Sequence, residues 1–147
     1  GVGAPGTVFT GAGVGGVDAV VGLSGAQATR NGTYIVSNIA LSAVKSQTVT
    51  DPFGGNRPVP GATITYTVVI TPTGTGTAGS ALFSDPIPAN TTYAAGSLRL
   101  NSVVQTDITG DDSGRFESTP TPRVVVVLGN LTQASGPQTI QFSATIN

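Results

Sequence analysis

Cysteine, histidine, methionine and tryptophan are all absent from this 147-residue chain. Without cysteine the chain can form no disulfide bond, no thiolate metal site and no thiol nucleophile. Without histidine, general acid–base chemistry near neutral pH would depend on aspartate or glutamate alone. Most of the seven acidic residues stand in turn sequences, where aspartate hydrogen-bonds its own backbone. The sequence therefore predicts a protein that is not an enzyme and that uses no cofactor.

Charged residues are scarce, with six Lys or Arg and seven Asp or Glu giving a net charge of −1. No basic stripe is present to neutralise phosphates, so neither nucleic acid nor an anionic membrane surface is expected as a partner. No apolar run reaches the roughly 18–20 residues of a transmembrane helix, which argues against membrane insertion. Because so few charges oppose self-association, we expect identical subunits as partners.

Alternation typical of β-strands dominates the chain from about residue 39. It is clearest in residues 62–71, where Ile64, Tyr66 and Val68 share one face and threonines the other. Further strands are predicted at 33–50 (one long or two short), 79–85, 97–106, 123–131 and 138–147. Turn sequences separate them, and 10 Pro and 21 Gly interrupt helical patterns. The predicted fold is all-β: an antiparallel Ig-like two-sheet sandwich over 39–147, preceded by a connecting segment or first strand at 24–38 and an N-terminal extended β-strand tail at 1–23.

A series of short motifs follows a defined order in residues 59–100. The order is Pro60-Gly61, Thr65-Tyr66-Thr67, Asp85-Pro86-Ile87-Pro88 and Thr92-Tyr93-Ala94-Ala95-Gly96-Ser97, and the closing strands are "RVVVVLGNL" and "QTIQFSATIN". This pattern resembles the DUF11-type repeat domain of prokaryotic cell-surface proteins over about residues 40–147, although "TPTG" at 71–74 replaces the usual Asn-x-Gly turn. The resemblance implies an Ig-like sandwich with a structural role outside the cell.

Residues 1–23 are rich in glycine and small apolar side chains and carry one charge, Asp18. A helix is disfavoured here, because each internal glycine costs about 1 kcal/mol relative to alanine. The alternation instead indicates two short β-segments that change phase at Gly15-Gly16, where a bulge or kink could redirect the chain. The apolar positions expected to enter a groove as a donor strand are Val8, Ala12, Val14, Val17, Ala19, Val21 and Leu23.

These features predict a secreted structural subunit of a cell-surface filament or pilus. Residues 1–23 would be donated to the sandwich of the neighbouring subunit, with main-chain hydrogen bonds supplying affinity and side-chain pockets supplying register. A head-to-tail contact that does not close gives a filament. The alternative is a non-polymerising repeat module of a larger cell-surface, S-layer or adhesin protein. A second alternative is a carbohydrate- or host-binding adhesin domain, although the absence of tryptophan and the presence of only three tyrosines argue against a sugar-stacking surface. A third alternative is a tail that completes its own sandwich. The sequence assigns no adhesion target.

Three smaller features allow competing interpretations. Asp107, Asp111 and Asp112 cluster in one segment and could supply oxygen ligands for calcium, although a solvated turn is the simpler interpretation. Asn31, Asn90 and Asn130 begin glycosylation acceptor triplets, which also arise by chance in a threonine-rich chain. Lys45 is the only lysine and lies in a predicted strand. An exposed lysine is the ordinary case there, and a covalent link to Asp85 or Asn147 across the core is the alternative.

Overall fold

A computed structural model describes residues 3–23 and 38–147. The chain divides into two compact units, residues 1–35 and residues 36–147, and each is considered by itself.

The N-terminal unit contains a short β-hairpin. Strands β1 (Val8–Phe9) and β2 (Ala19–Val20) pair in antiparallel fashion, and a 3₁₀ turn at Val14–Gly16 lies between them. Gly15 in this turn has a φ of 77°, a conformation that glycine adopts without steric cost. Two strands thus lie on either side of Gly15-Gly16, but each has only two residues and they pair with each other, so the described part of this segment is a hairpin and not the extended tail that the sequence predicts.

The larger unit consists of nine strands in the residues described. They are β3 (Ile39–Thr50), β4 (Thr63–Gly74), β5 (Ala78–Pro86), β6 (Thr91–Tyr93), β7 (Arg99–Leu100), β8 (Val103–Val104), β9 (Gly114–Glu117), β10 (Arg123–Leu131) and β11 (Gln138–Ile146). A 3₁₀ turn at Gln133–Ser135 joins the last two.

The strands form two antiparallel sheets, which confirms the predicted all-β sandwich. The six-stranded sheet has the order β3-β4-β11-β7-β8, and β6 also pairs with β11. The three-stranded sheet has the order β5-β10-β9. The core between them is formed by alternate residues of β4, β10 and β11, whose largest fully buried side chain is Phe142. Its ring packs against Tyr66 with the centroids 5.2 Å apart.

Strand boundaries depart from the sequence prediction at two places. The segment predicted as one strand at 97–106 is two very short strands, β7 and β8, because Asn101 and Ser102 adopt positive φ values of 50° and 71° and reverse the chain. The segment predicted at 33–50 yields one long strand, β3, within the residues described. The part of that prediction before residue 38 lies outside the described residues, as does most of the predicted connecting segment.

Candidate functional site: an open edge of the sandwich

The core side of β3 is only partly covered within the described residues. Leu41, Lys45 and Gln47 lie opposite Pro72, Val68 and Tyr66 of β4, and directly opposite residues share a face of an antiparallel sheet. Tyr66 and Val68 are 5% and 3% exposed, whereas Leu41 on the same face is 44% exposed. The interior surface of the larger sheet therefore continues past the core onto β3, where the described residues cover it only in part.

The three-stranded sheet ends at β5. In the part of the chain that the structure describes, β5 pairs with β10 alone, so its other edge has unpaired backbone N–H and C=O groups. Asp85 of β5 reaches Lys45 of β3, which places this free edge beside the partly exposed face of β3. We call the core-side face of β3 together with the free edge of β5 the open edge.

Lys45 and Asp85 form an ion pair across the two sheets. The Lys45 Nζ lies 2.5 Å from the Asp85 Oδ2, with the lysine side chain 40% exposed and the aspartate side chain 16% exposed. The ammonium also lies 4.5 Å from the centroid of the Tyr66 ring, within cation–π range. Of the two partners suggested by the sequence, the structure thus brings Asp85 to Lys45. The side-chain Oδ1 of Asn147 instead accepts a hydrogen bond from Thr92.

The seven residues predicted as donor positions all lie in the N-terminal unit. Val8, Val14, Val17 and Leu23 are 52%, 98%, 61% and 96% exposed. Ala12 is exposed, Ala19 is half-buried and Val21 is buried. The backbone of Val21 accepts a hydrogen bond from Gly6 and donates one to Thr7. Most of the predicted donor side chains are therefore largely exposed.

All three carboxylates of the acidic loop at 106–114 accept hydrogen bonds from nearby protein groups. Asp107 accepts hydrogen bonds from the Tyr93 hydroxyl at 2.7 Å and from the Gly96 N–H at 2.8 Å. Asp112 accepts from two N–H groups of its own loop, and Asp111 accepts from the Thr106 hydroxyl. Burial raises the pKa of the Tyr93 phenol, and its hydrogen bond to Asp107 raises it further. In the described residues, no three acidic side chains form a group that could hold a metal ion.

Of the predicted glycosylation positions, Asn31 lies outside the described residues. Asn90 and Asn130 are both exposed. The Asn130 Oδ1 accepts a hydrogen bond from the Ser80 N–H at 3.0 Å, and Asn90 adopts a φ of 61°. Glycosylation of these two positions stays a prediction.

Two other acidic side chains each accept several hydrogen bonds from neighbouring groups. The Asp51 carboxylate accepts hydrogen bonds from the N–H groups of Gly55, Arg57 and Phe53, and these bonds hold its pKa below the ordinary value. Hydrogen bonds from Arg115 and Arg123 likewise lower the pKa of Glu117.

The pairing of Glu117 with two arginines was not anticipated from the sequence. Only the register of β9 against β10, which places Arg123 opposite Glu117, brings the second arginine to that carboxylate.

Comparison with known proteins finds no matching family model, no matching curated protein and no matching solved structure. The resemblance to the DUF11-type domain therefore stays a prediction. No helix in residues 3–23 or 38–147 is long and apolar enough to span a membrane.

Proposed function

We propose that this chain is a structural subunit of an extracellular filament that assembles when the N-terminal segment of one subunit enters the open edge of the next. The observation that carries the proposal is the open edge itself. Its core-side face is exposed on β3, and the neighbouring edge of β5 is unpaired within the described residues. Within the described residues, this sandwich thus offers an edge to which a further strand could pair.

An additional strand would fill the unpaired edge of β5 and the exposed face of β3 together. Its backbone would pair with the N–H and C=O groups of β5, and its side chains would cover the apolar face around Leu41. Exposed strand edges are otherwise sites of uncontrolled association, so a dedicated occupant would also protect the subunit.

The N-terminal segment has the character such an occupant needs. Its two strands have two residues each, Val8–Phe9 and Ala19–Val20, and two backbone hydrogen bonds of Val21, with Gly6 and Thr7, extend their pairing. An isolated two-stranded hairpin is marginally stable in water, so opening this one requires little free energy. Its apolar side chains are small and mostly exposed, including Val14 at 98% and Leu23 at 96%. Strand donation would bury this surface.

The geometry of the exchange favours a filament. The donated segment and the open edge are different surfaces of one chain, so the contact between subunits is heterologous and can repeat without limit. The net charge of −1 adds little repulsion between stacked subunits.

A matched pair of substitutions tests the donor segment. Val17 and Val20 are 61% and 63% exposed, so Val17→Asp and Val20→Asp disturb the hairpin surface to a similar extent. Only Val17 belongs to the alternation phase predicted to face the groove, where a buried unpaired carboxylate would cost several kcal/mol. We expect Val17→Asp to abolish filaments in negative-stain electron microscopy and Val20→Asp to retain them.

Two outcomes would contradict the proposal. Wild-type protein that remains monomeric in sedimentation at all concentrations would show that the segment does not join subunits. If that monomer is also destabilised by Val17→Asp and not by Val20→Asp, the segment completes its own sandwich instead. Equal filament yield from both variants would show that residue 17 does not enter a groove.

A further inference from the structure

We propose that Lys45 and Asp85 are joined by an intramolecular amide bond between the lysine Nζ and the aspartate Cγ. This cross-link would make the connection between the two sheets covalent. It concerns the subunit alone and does not depend on filament assembly.

The two groups are already in contact. The Lys45 Nζ lies 2.5 Å from the Asp85 Oδ2, so the amine and the carboxyl carbon are held within reach of bond formation. Two aromatic rings position the amine from the core side, with centroids 4.5 Å away for Tyr66 and 5.7 Å away for Phe142. The lysine stands on the long strand β3 and the aspartate on β5, and both strands are anchored by extensive antiparallel pairing.

Lys45 offers the only side-chain amine in the sequence. The other two ion pairs in the described residues join Arg115 and Arg123 to Glu117, all within the three-stranded sheet. A guanidinium stays protonated and is a poor nucleophile, so these contacts cannot condense in the same way. The lysine pair differs from them in chemistry and in linking one sheet to the other.

The reaction is a condensation that needs no other reactant. A proton moves from the Lys45 ammonium to the Asp85 carboxylate, which leaves a neutral amine and a neutral acid. The amine lone pair attacks Cγ and forms the C–N bond. The C–O bond then breaks, and the oxygen departs as water with the two protons that nitrogen has lost. No atom changes oxidation state.

Proximity lowers the barrier to amide formation, which is slow between the same groups in dilute solution. Groups fixed in a reactive geometry reach effective molarities of about 10⁵ M or more, which is far above the concentration of liquid water. The Asp85 side chain is only 16% exposed, so access of water to the carbonyl carbon for the reverse hydrolysis is also restricted.

Intact-mass spectrometry of the purified full chain tests the proposal. We expect the measured mass to be lower than the sequence mass by one water, and this deficit to be lost in Lys45→Arg and Asp85→Ala. Lys45→Arg keeps the positive charge, so it separates loss of the amide from loss of the ion pair.

Trypsin digestion then locates the bond. Without it, cleavage after Lys45 yields peptides 31–45 and 46–99, since Arg57 precedes proline and resists cleavage. With it, Lys45 is acylated and a single peptide 31–99 appears, lighter by one water. A wild-type chain of full sequence mass overturns the proposal. A deficit that persists in either variant also overturns it, because the water was then lost elsewhere.

Discussion

The exposed face of β3 leads to a quantitative expectation for Leu41. Full burial of a leucine side chain is worth about 1.5–3 kcal/mol. Since Leu41 is 44% exposed in the subunit, about 1 kcal/mol of that remains to be gained when a donated strand covers it. Leu41→Asp would lose this gain and would also require an unpaired carboxylate to be desolvated, which costs several kcal/mol. A combined loss of about 3 kcal/mol corresponds to a roughly hundredfold higher critical concentration for assembly.

Val44→Asp is the matched control. Val44 is 67% exposed and lies on the opposite face of the same strand, so its substitution changes charge and β-propensity without entering the open edge. Critical concentrations would be measured by sedimentation of assembled material, and subunit stability by urea unfolding. In the subunit, Leu41→Asp should cost about 1 kcal/mol, which is small against the usual 5–15 kcal/mol for a domain. Equal critical concentrations for the two variants would refute the assignment of this face as the acceptor.

Two further predictions concern the stability of the sandwich. Phe142→Ala removes a fully buried ring and should lower the free energy of unfolding by about 3–5 kcal/mol in urea titrations. Phe53→Ala, at a side chain that is 91% exposed, should change it by no more than about 0.5 kcal/mol. For Asp51 the folded-state pKa lies below the ordinary value of 3.8, so its stabilising contribution is full above that pH and is lost as pH falls through the folded value. Unfolding measured between pH 7 and pH 2 should therefore show a smaller acid-induced loss of stability in Asp51→Asn than in wild type, and equal losses would contradict this account.

The long paired strands could be predicted from the sequence because their side chains alternate in chemistry. In β4 the core positions Tyr66 and Val68 alternate with threonines, and the buried face follows directly from that period. In contrast, β7 and β8 depend on a reversal at Asn101-Ser102, two residues whose positive φ values no alternation rule anticipates. Such short segments become strands because they pair with residues distant in the sequence, and a local pattern does not predict that pairing.

The open edge could not be derived from the sequence for the same reason. Alternation places Lys45 on the same face as Leu41, but it does not reveal that β3 is the last strand of its sheet among the residues described. The sequence suggested Asp85 as one of two partners for Lys45 without a basis for choosing. The choice depends on the distance between two strands in different sheets. A rule that is applied to one strand at a time cannot predict that distance.

The cross-link and strand donation both involve the side chains of Lys45 and Asp85, and the first affects the free energy of the second. A strand laid along β5 would cover the Lys45–Asp85 pair, and removing an ion pair from water carries a desolvation cost that its mutual attraction does not always repay. An amide carries no net charge and needs only ordinary hydrogen-bond partners, so its burial costs less. If both proposals hold, condensation before donation would make the open edge a better acceptor than the ionised pair. The amide would then form within each subunit before the subunits associate, and it would make this part of the open edge less polar.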